Sequence, residues 1–111
     1  MQIGIDFGTS NTSIAFRGPD GAALVALEPE ATSIPTAVFY GLDSGEYAIG
    51  SRAVSAYESG EEGRLMRSIK SVLGSSLIDE TTELGRRRLP FRDVIVHFLR
   101  RVIANAEEQT G

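Results

Sequence analysis

Residues 1–16 read MQIGIDFGTSNTSIAF, and the organisation of the chain turns on them. Ile3, Ile5 and Phe7 alternate with Gln2, Gly4 and Asp6, the two-residue period of a strand with one apolar face. Residues 12–17 repeat the pattern, with Ile14 and Phe16 on one face. Between these runs lies Gly8-Thr9-Ser10-Asn11. A glycine beside small hydroxyl residues at a strand end lets the backbone come close to a ligand. Successive N–H groups in such a turn form a concave anion site. Thr9, Ser10 and Asn11 add side-chain donors, and a polyphosphate fits that set. The carboxylate of Asp6 would repel a bare phosphate. It fits once a divalent cation held through water, as Mg²⁺ commonly is, lies between them. Two familiar phosphate loops are absent. There is no G-x-x-x-x-G-K-[ST], and no G-x-G-x-x-G opening a helix, because this turn runs from strand to strand.

Outward from that stretch, Gly18-Pro19-Asp20-Gly21 predicts a turn and residues 22–27 a third strand, broken by Glu28-Pro29-Glu30. Residues 34–40 read as one further strand, with Pro35 at its start or on an edge. A turn over 41–45 leads to a short strand over 47–49, and Ser51 is the expected cap of a helix over 52–58. Leu65, Met66, Ile69, Val72 and Leu73 recur at helical spacing, which predicts a helix closed by Gly74. Residues 75–89 show no period and hold Arg86-Arg87-Arg88, read as a solvated loop. Phe91, Val94, Ile95, Phe98, Leu99, Val102, Ile103 and Ala106 form one stripe of a long final helix, with Pro90 near its first turn. On that helix Asp93 and His97 are expected to pair across one turn. The expected fold is α+β: a β-meander over 1–40, a small strand-and-helix segment over 41–89 and a helix over 90–111.

Composition narrows the function classes. A chain of 111 residues holds one domain at most, and without tryptophan its core is mostly aliphatic. A formal charge of -4 speaks against nucleic acid as a partner. The lack of cysteine excludes disulfides and thiolate metal sites and agrees with a cytoplasmic location. A single histidine gives no histidine metal site. No basic stretch followed by an apolar run comes after Met1, so no signal peptide is expected, and the longest apolar run is far short of a membrane span.

The strand–D-x-G-[TS]-[TS]-N–strand arrangement resembles the first phosphate motif of the actin, sugar-kinase and DnaK-type ATPase superfamily. IGIDFGTSNTSIAF is similar to the opening of the seventy-kilodalton heat-shock chaperones. Ser33-Ile34-Pro35-Thr36-Ala37-Val38 resembles their T-x-P-S strand, and Ile49-Gly50 their V-G-x-x-A segment. Ser68-Ile69-Lys70-Ser71-Val72-Leu73-Gly74 resembles their S-I-K-R-L-I-G helix. Ala106-Glu107, with Gly111, resembles the helix ending in A-E-x-x-x-G. The pattern is closest to the YegD-like branch. The resemblance implies a ribonuclease-H-like, actin-like ATPase fold that binds ATP or ADP with Mg²⁺. Gly8, Thr9, Ser10 and Asn11 would touch the β- and γ-phosphates, Asp6 would orient Mg²⁺ through water, and Lys70 would lie near the γ-phosphate as a catalytic-type lysine. Polypeptide clients or a regulatory protein are implied as partners. Ser10 stands where threonine is common and keeps the hydroxyl. Ser71 replaces a basic residue.

The later phosphate and adenosine motifs of that superfamily are absent, so the chain is expected to be the N-terminal portion of a longer ATPase. Alone it is expected to be inactive and to self-associate through uncovered sheet edges. Two other readings stand beside this one: a sugar kinase on the same scaffold, and a small interaction domain. In the last, Gly8 to Asn11 is a plain hairpin turn, Asp6 a solvated strand residue and Lys70 part of a polar helix face.

Overall fold

The computed structural model describes residues 2–42 and 44–110. Asp43, within the expected turn, and Gly111, within the expected A-E-x-x-x-G ending, lie outside the described residues. The architecture is α+β, with antiparallel sheets and two α-helices.

Strand β1 (Gln2–Phe7) pairs antiparallel with β2 (Asn11–Gly18), placing Phe7 opposite Thr12 and Asp6 opposite Ser13. A two-residue turn at Pro19-Asp20 leads into β3 (Gly21–Leu24), which takes the second half of the other β2 edge. The first half of that edge goes to β4 (Ser33–Pro35), with Asn11 opposite Pro35. The third strand therefore ends before residue 27. Val25 N–H still donates to Ile14 O at 2.8 Å, and Val25 and Leu27 then leave the sheet to fill the core.

The run 34–40 is not one strand. It breaks at Thr36, and β5 (Ala37–Gly41) passes into a second sheet between β6 (Tyr47–Ile49) and β7 (Gly63–Arg67). Pro35 has no N–H to extend a ladder, and the N–H of Thr36 is drawn to Ser10 O at 2.9 Å. The expected helix around Leu65 to Leu73 is also overturned. Met66 turns into the main core while Leu65 packs with Ala37, Phe39 and Ala53, so neighbours take opposite faces as in a strand. Ser68, at φ 53°, stops the strand in the left-handed region, and only a 3₁₀ turn over Ile69–Val72 follows.

Helix α1 (Gly50–Glu58) is not capped by Ser51. Glu28, from the distant break after β3, accepts the Ser51 N–H at 2.9 Å, and its carboxylate suits the positive helix end. Gly50, at φ 64°, makes room, since a Cβ there would lie 2.6 Å from the Glu28 carboxylate. The stretch expected to be a loop holds a 3₁₀ turn (Ser76–Asp79) and a hairpin of β8 (Thr81–Leu84) and β9 (Arg87–Pro90). Arg86 is in its turn and Arg88 stands opposite Glu83; all three arginines are exposed.

Helix α2 (Phe91–Thr110) follows the expected stripe. Val94, Ile95, Phe98, Val102 and Ala106 are buried against Ile14, Val25, Ile34 and Val38. Strand β5 is covered on both faces: Val38 and Tyr40 join this core, Ala37 and Phe39 the smaller one under α1. Strand β1 is the open edge of its sheet. Ile3 is 58% and Ile5 40% exposed, and among its apolar residues Phe7 reaches the core, with its ring 5.8 Å from that of Phe98.

His97 does not pair with Asp93. Its Nδ1 lies 2.9 Å from the buried hydroxyl of Tyr40, and its ring stacks on Tyr47 at 5.0 Å, with the Arg101 guanidinium also over the Tyr47 ring at 4.7 Å. With the proton on Nε2, His97 accepts from Tyr40. Burial pushes the Tyr40 phenol up, helped by Tyr47 and Asp93 nearby. The folded chain thus holds this proton where the unfolded chain releases it, so stability is intact below the ordinary tyrosine value near 10.0 and falls as pH rises above it. Alkaline denaturation curves are expected to show this loss, and Tyr40→Phe to reduce it.

Candidate functional site

The turn between β1 and β2 is held from three sides. Gly8 N–H donates to Asn11 O at 2.9 Å and closes it. A Cβ on Gly8 would lie 2.6 Å from the same carbonyl, so a side chain forces the backbone apart. Thr36 supplies the other constraints. Its hydroxyl donates to Gly8 O at 2.8 Å and its N–H to Ser10 O at 2.9 Å. Thr12 Oγ1 lies 2.7 Å from Thr36 Oγ1. Because the single Thr36 proton goes to Gly8 O, Thr12 is the donor of that pair. Thr12 and Thr36 are each 1% exposed, so a dry hydroxyl pair anchors both flanks of the turn.

Against that fixed backbone the outer groups are free. Thr9, Ser10 and Asn11 are exposed, and among the described residues their side chains make no hydrogen bond. They line a cavity of about 340 Å³ together with Pro35, Thr36, Arg67 and Ser68. Alternation along the strands places Asp6, Ser13 and Asn11 on one face of the first sheet, opposite the Phe7 and Ile14 face that α2 covers. Asp6 is exposed there.

The structure therefore gathers Gly8, Thr9, Ser10 and Asn11 at one turn and sets Asp6 on the same side. Lys70 is not among the cavity residues. It stands exposed on the 3₁₀ turn two positions after Ser68. The sequence reading did not single out Thr36 or Arg67. Thr36 lies inside the quoted S-I-P-T-A-V stretch, and Arg67 directly precedes S-I-K-S-V-L-G; neither a buried clamp nor a neighbour across strands leaves a local signature.

The donor set matches a polyphosphate: hydroxyls, an amide and backbone around a turn with no carboxylate lining its cavity. Among the described residues no trio of His, Asp or Glu gathers to hold a metal. Asp6, exposed on its face of the first sheet, does not line the cavity.

The fold and this turn define an α+β chain with a clamped strand-to-strand turn beside a cavity. No family model matches the chain. It is 28% identical over 109 residues to the chaperone protein DnaK of Thermotoga neapolitana, an alignment spanning 98% of this chain and 18% of that protein. It is 38% identical over 65 residues to the movement protein Hsp70h of Grapevine leafroll-associated virus 3, covering 59% of this chain and 12% of that one. The chain is thus distantly similar to Hsp70/DnaK proteins along nearly its whole length, and it spans less than a fifth of these relatives. The similarity reaches the family and not a branch within it. Among the described residues no helix is long and apolar enough to cross a membrane.

Proposed function

We propose that this chain carries the first phosphate-binding loop of an actin-like ATPase of the DnaK type, with the activity of a molecular chaperone belonging to the larger protein. One observation supports this reading above the others. The β1–β2 turn is fixed from behind by a buried threonine pair, yet presents Thr9, Ser10 and Asn11 unbonded toward a cavity. A turn built only to reverse the chain needs no such anchoring, whereas recognition of a charged group gains from preorganised donors. In this reading Gly8, Thr9, Ser10 and Asn11 bind the β- and γ-phosphates of ATP, and Asp6 orients Mg²⁺ through water. Magnesium would supply neutralisation of the phosphate charge there. In the same reading Lys70, exposed on the neighbouring 3₁₀ turn, is the catalytic-type lysine for the γ-phosphate, a role that rests on the resemblance. Client polypeptides, a cytoplasmic location and the YegD-like relationship are part of the same proposal and rest on the resemblance alone.

The test is a titration with ATP in the presence and absence of magnesium, read by melting temperature. A ligand that binds the folded chain raises its stability according to concentration over affinity. MgATP is expected to raise the midpoint more than ATP with a chelator, and Asp6→Asn to erase that difference while leaving the magnesium-free response. Equal responses with and without magnesium in the parent chain would remove Asp6 from the site.

A further inference from the structure

We propose that Arg67 is a phosphate-binding residue, the cation that the cavity beside the β1–β2 turn presents to the terminal phosphate of a bound polyphosphate. The inference rests on the proposed phosphate loop and adds a residue to it. Lys70 is the lysine the sequence singles out, but the cavity that holds Thr9, Ser10 and Asn11 is lined by Arg67 and Ser68.

The fold brings Arg67 to this place by two linked steps. In the second sheet Arg67 stands opposite Ala37, the first residue of β5. The residue before Ala37 is Thr36, whose N–H and hydroxyl hold Ser10 O and Gly8 O. The last residue of β7 is thereby set beside the anchor of the turn. Ser68 then takes the left-handed conformation, at φ 53°, and turns the chain away, so Arg67 remains at the rim.

Its charge is uncommitted. Among the described residues Arg92 forms an ion pair with Asp79 at 2.7 Å, Arg64 donates to Glu83 O at 3.4 Å, and Arg101 lies over the Tyr47 ring at 4.7 Å. Arg67 has no such partner among them, and no carboxylate lines its cavity. An exposed guanidinium with five donors, facing hydroxyls and an amide, lacks only the anion that would complete the set. Its planar fork matches two oxygens of one phosphate.

The probe is inorganic tripolyphosphate, which carries the phosphate chain without base, sugar or required metal. It is titrated into the 111-residue chain at low ionic strength, with binding read by calorimetry and the fold checked by melting temperature. Arg67→Ala is expected to weaken binding on the order of tenfold, as loss of a charge-assisted hydrogen bond does, with an unchanged melting temperature. Arg67→Lys should recover part of the loss, because it keeps the charge and loses the fork. Arg64→Ala, on the same strand with its guanidinium turned to Glu83, should stay within about twofold. If the parent chain binds and Arg67→Ala binds equally, or if Lys70→Ala alone takes the affinity away, the assignment of Arg67 is overturned and the loop reading stands. If the parent chain does not bind tripolyphosphate, the loop reading fails and the assignment of Arg67 with it.

Discussion

Phe98→Ala is expected to lower the unfolding free energy by about 3–5 kcal/mol, read as a shifted denaturation midpoint with an unchanged slope. Phe98 is 0% exposed and the largest of the fully buried side chains. It sits in the middle of the α2 stripe, where Val94 and Val102 flank it one turn away on either side, and it meets the Phe7 ring at 5.8 Å. Alanine removes the whole ring from a buried cluster that draws on β2, β5 and α2, with Phe7 of β1 packed against it, so its members are tied to two different sheets. Those members do not collapse together, so both the transfer term and the cavity term apply. Against a total near 5–15 kcal/mol for a domain, such a loss takes a large share of the stability. Val96 provides the contrast. It lies two residues away on the outer face, 37% exposed, and Val96→Ala is expected to change stability by less than about 0.5 kcal/mol. A loss under about 1 kcal/mol at Phe98 would contradict the packing described.

Thr36→Val is expected to have the second largest effect, and to act on the turn as well as on stability. The substitution keeps shape and removes one hydroxyl. Gly8 O then loses its donor and Thr12 Oγ1 its acceptor, in a place where both threonines are 1% exposed. Leaving buried polar groups unpaired costs about 1–3 kcal/mol each. The Thr36 N–H still holds Ser10 O, so the turn is loosened at its Gly8 flank and not released. Amide exchange at residues 8–11 is expected to speed up more than exchange in α2, and phosphate affinity to fall with it. Thr36→Ser restores the hydroxyl and should return most of both. Equal behaviour of the valine and serine variants would show that the hydroxyl anchors nothing.

Legibility in the sequence followed the range of the forces involved. The β1–β2 pair and its turn were readable because alternation and glycine act within a few residues. The α2 stripe was readable because one helix carries it whole. The stretch around Leu65 and Met66 misled because short apolar runs satisfy a helical and a strand period at once. Pairing with β5, a partner over twenty positions away, decided it. The single run 34–40 divided between two sheets for a similar reason, since the N–H of Thr36 is claimed by Ser10. Helical spacing alone pairs His97 with Asp93, whereas the fold brings it to Tyr40, 57 positions away. Gly8 to Asn11 stand out in the sequence by residue type alone. Thr36 and Thr12, which anchor that turn, and Arg67, which lines the cavity beside it, arrive through tertiary pairing and carry no local mark.

The most direct test reads the MgATP titration residue by residue, through the backbone amide resonances of the chain. The account predicts that the amides of Gly8, Thr9, Ser10 and Asn11 move first and furthest, followed by those of Asp6 and Arg67, with the α2 amides unmoved. Saturating MgATP that leaves those four amides in place, or that shifts only residues remote from the β1–β2 turn, would contradict it.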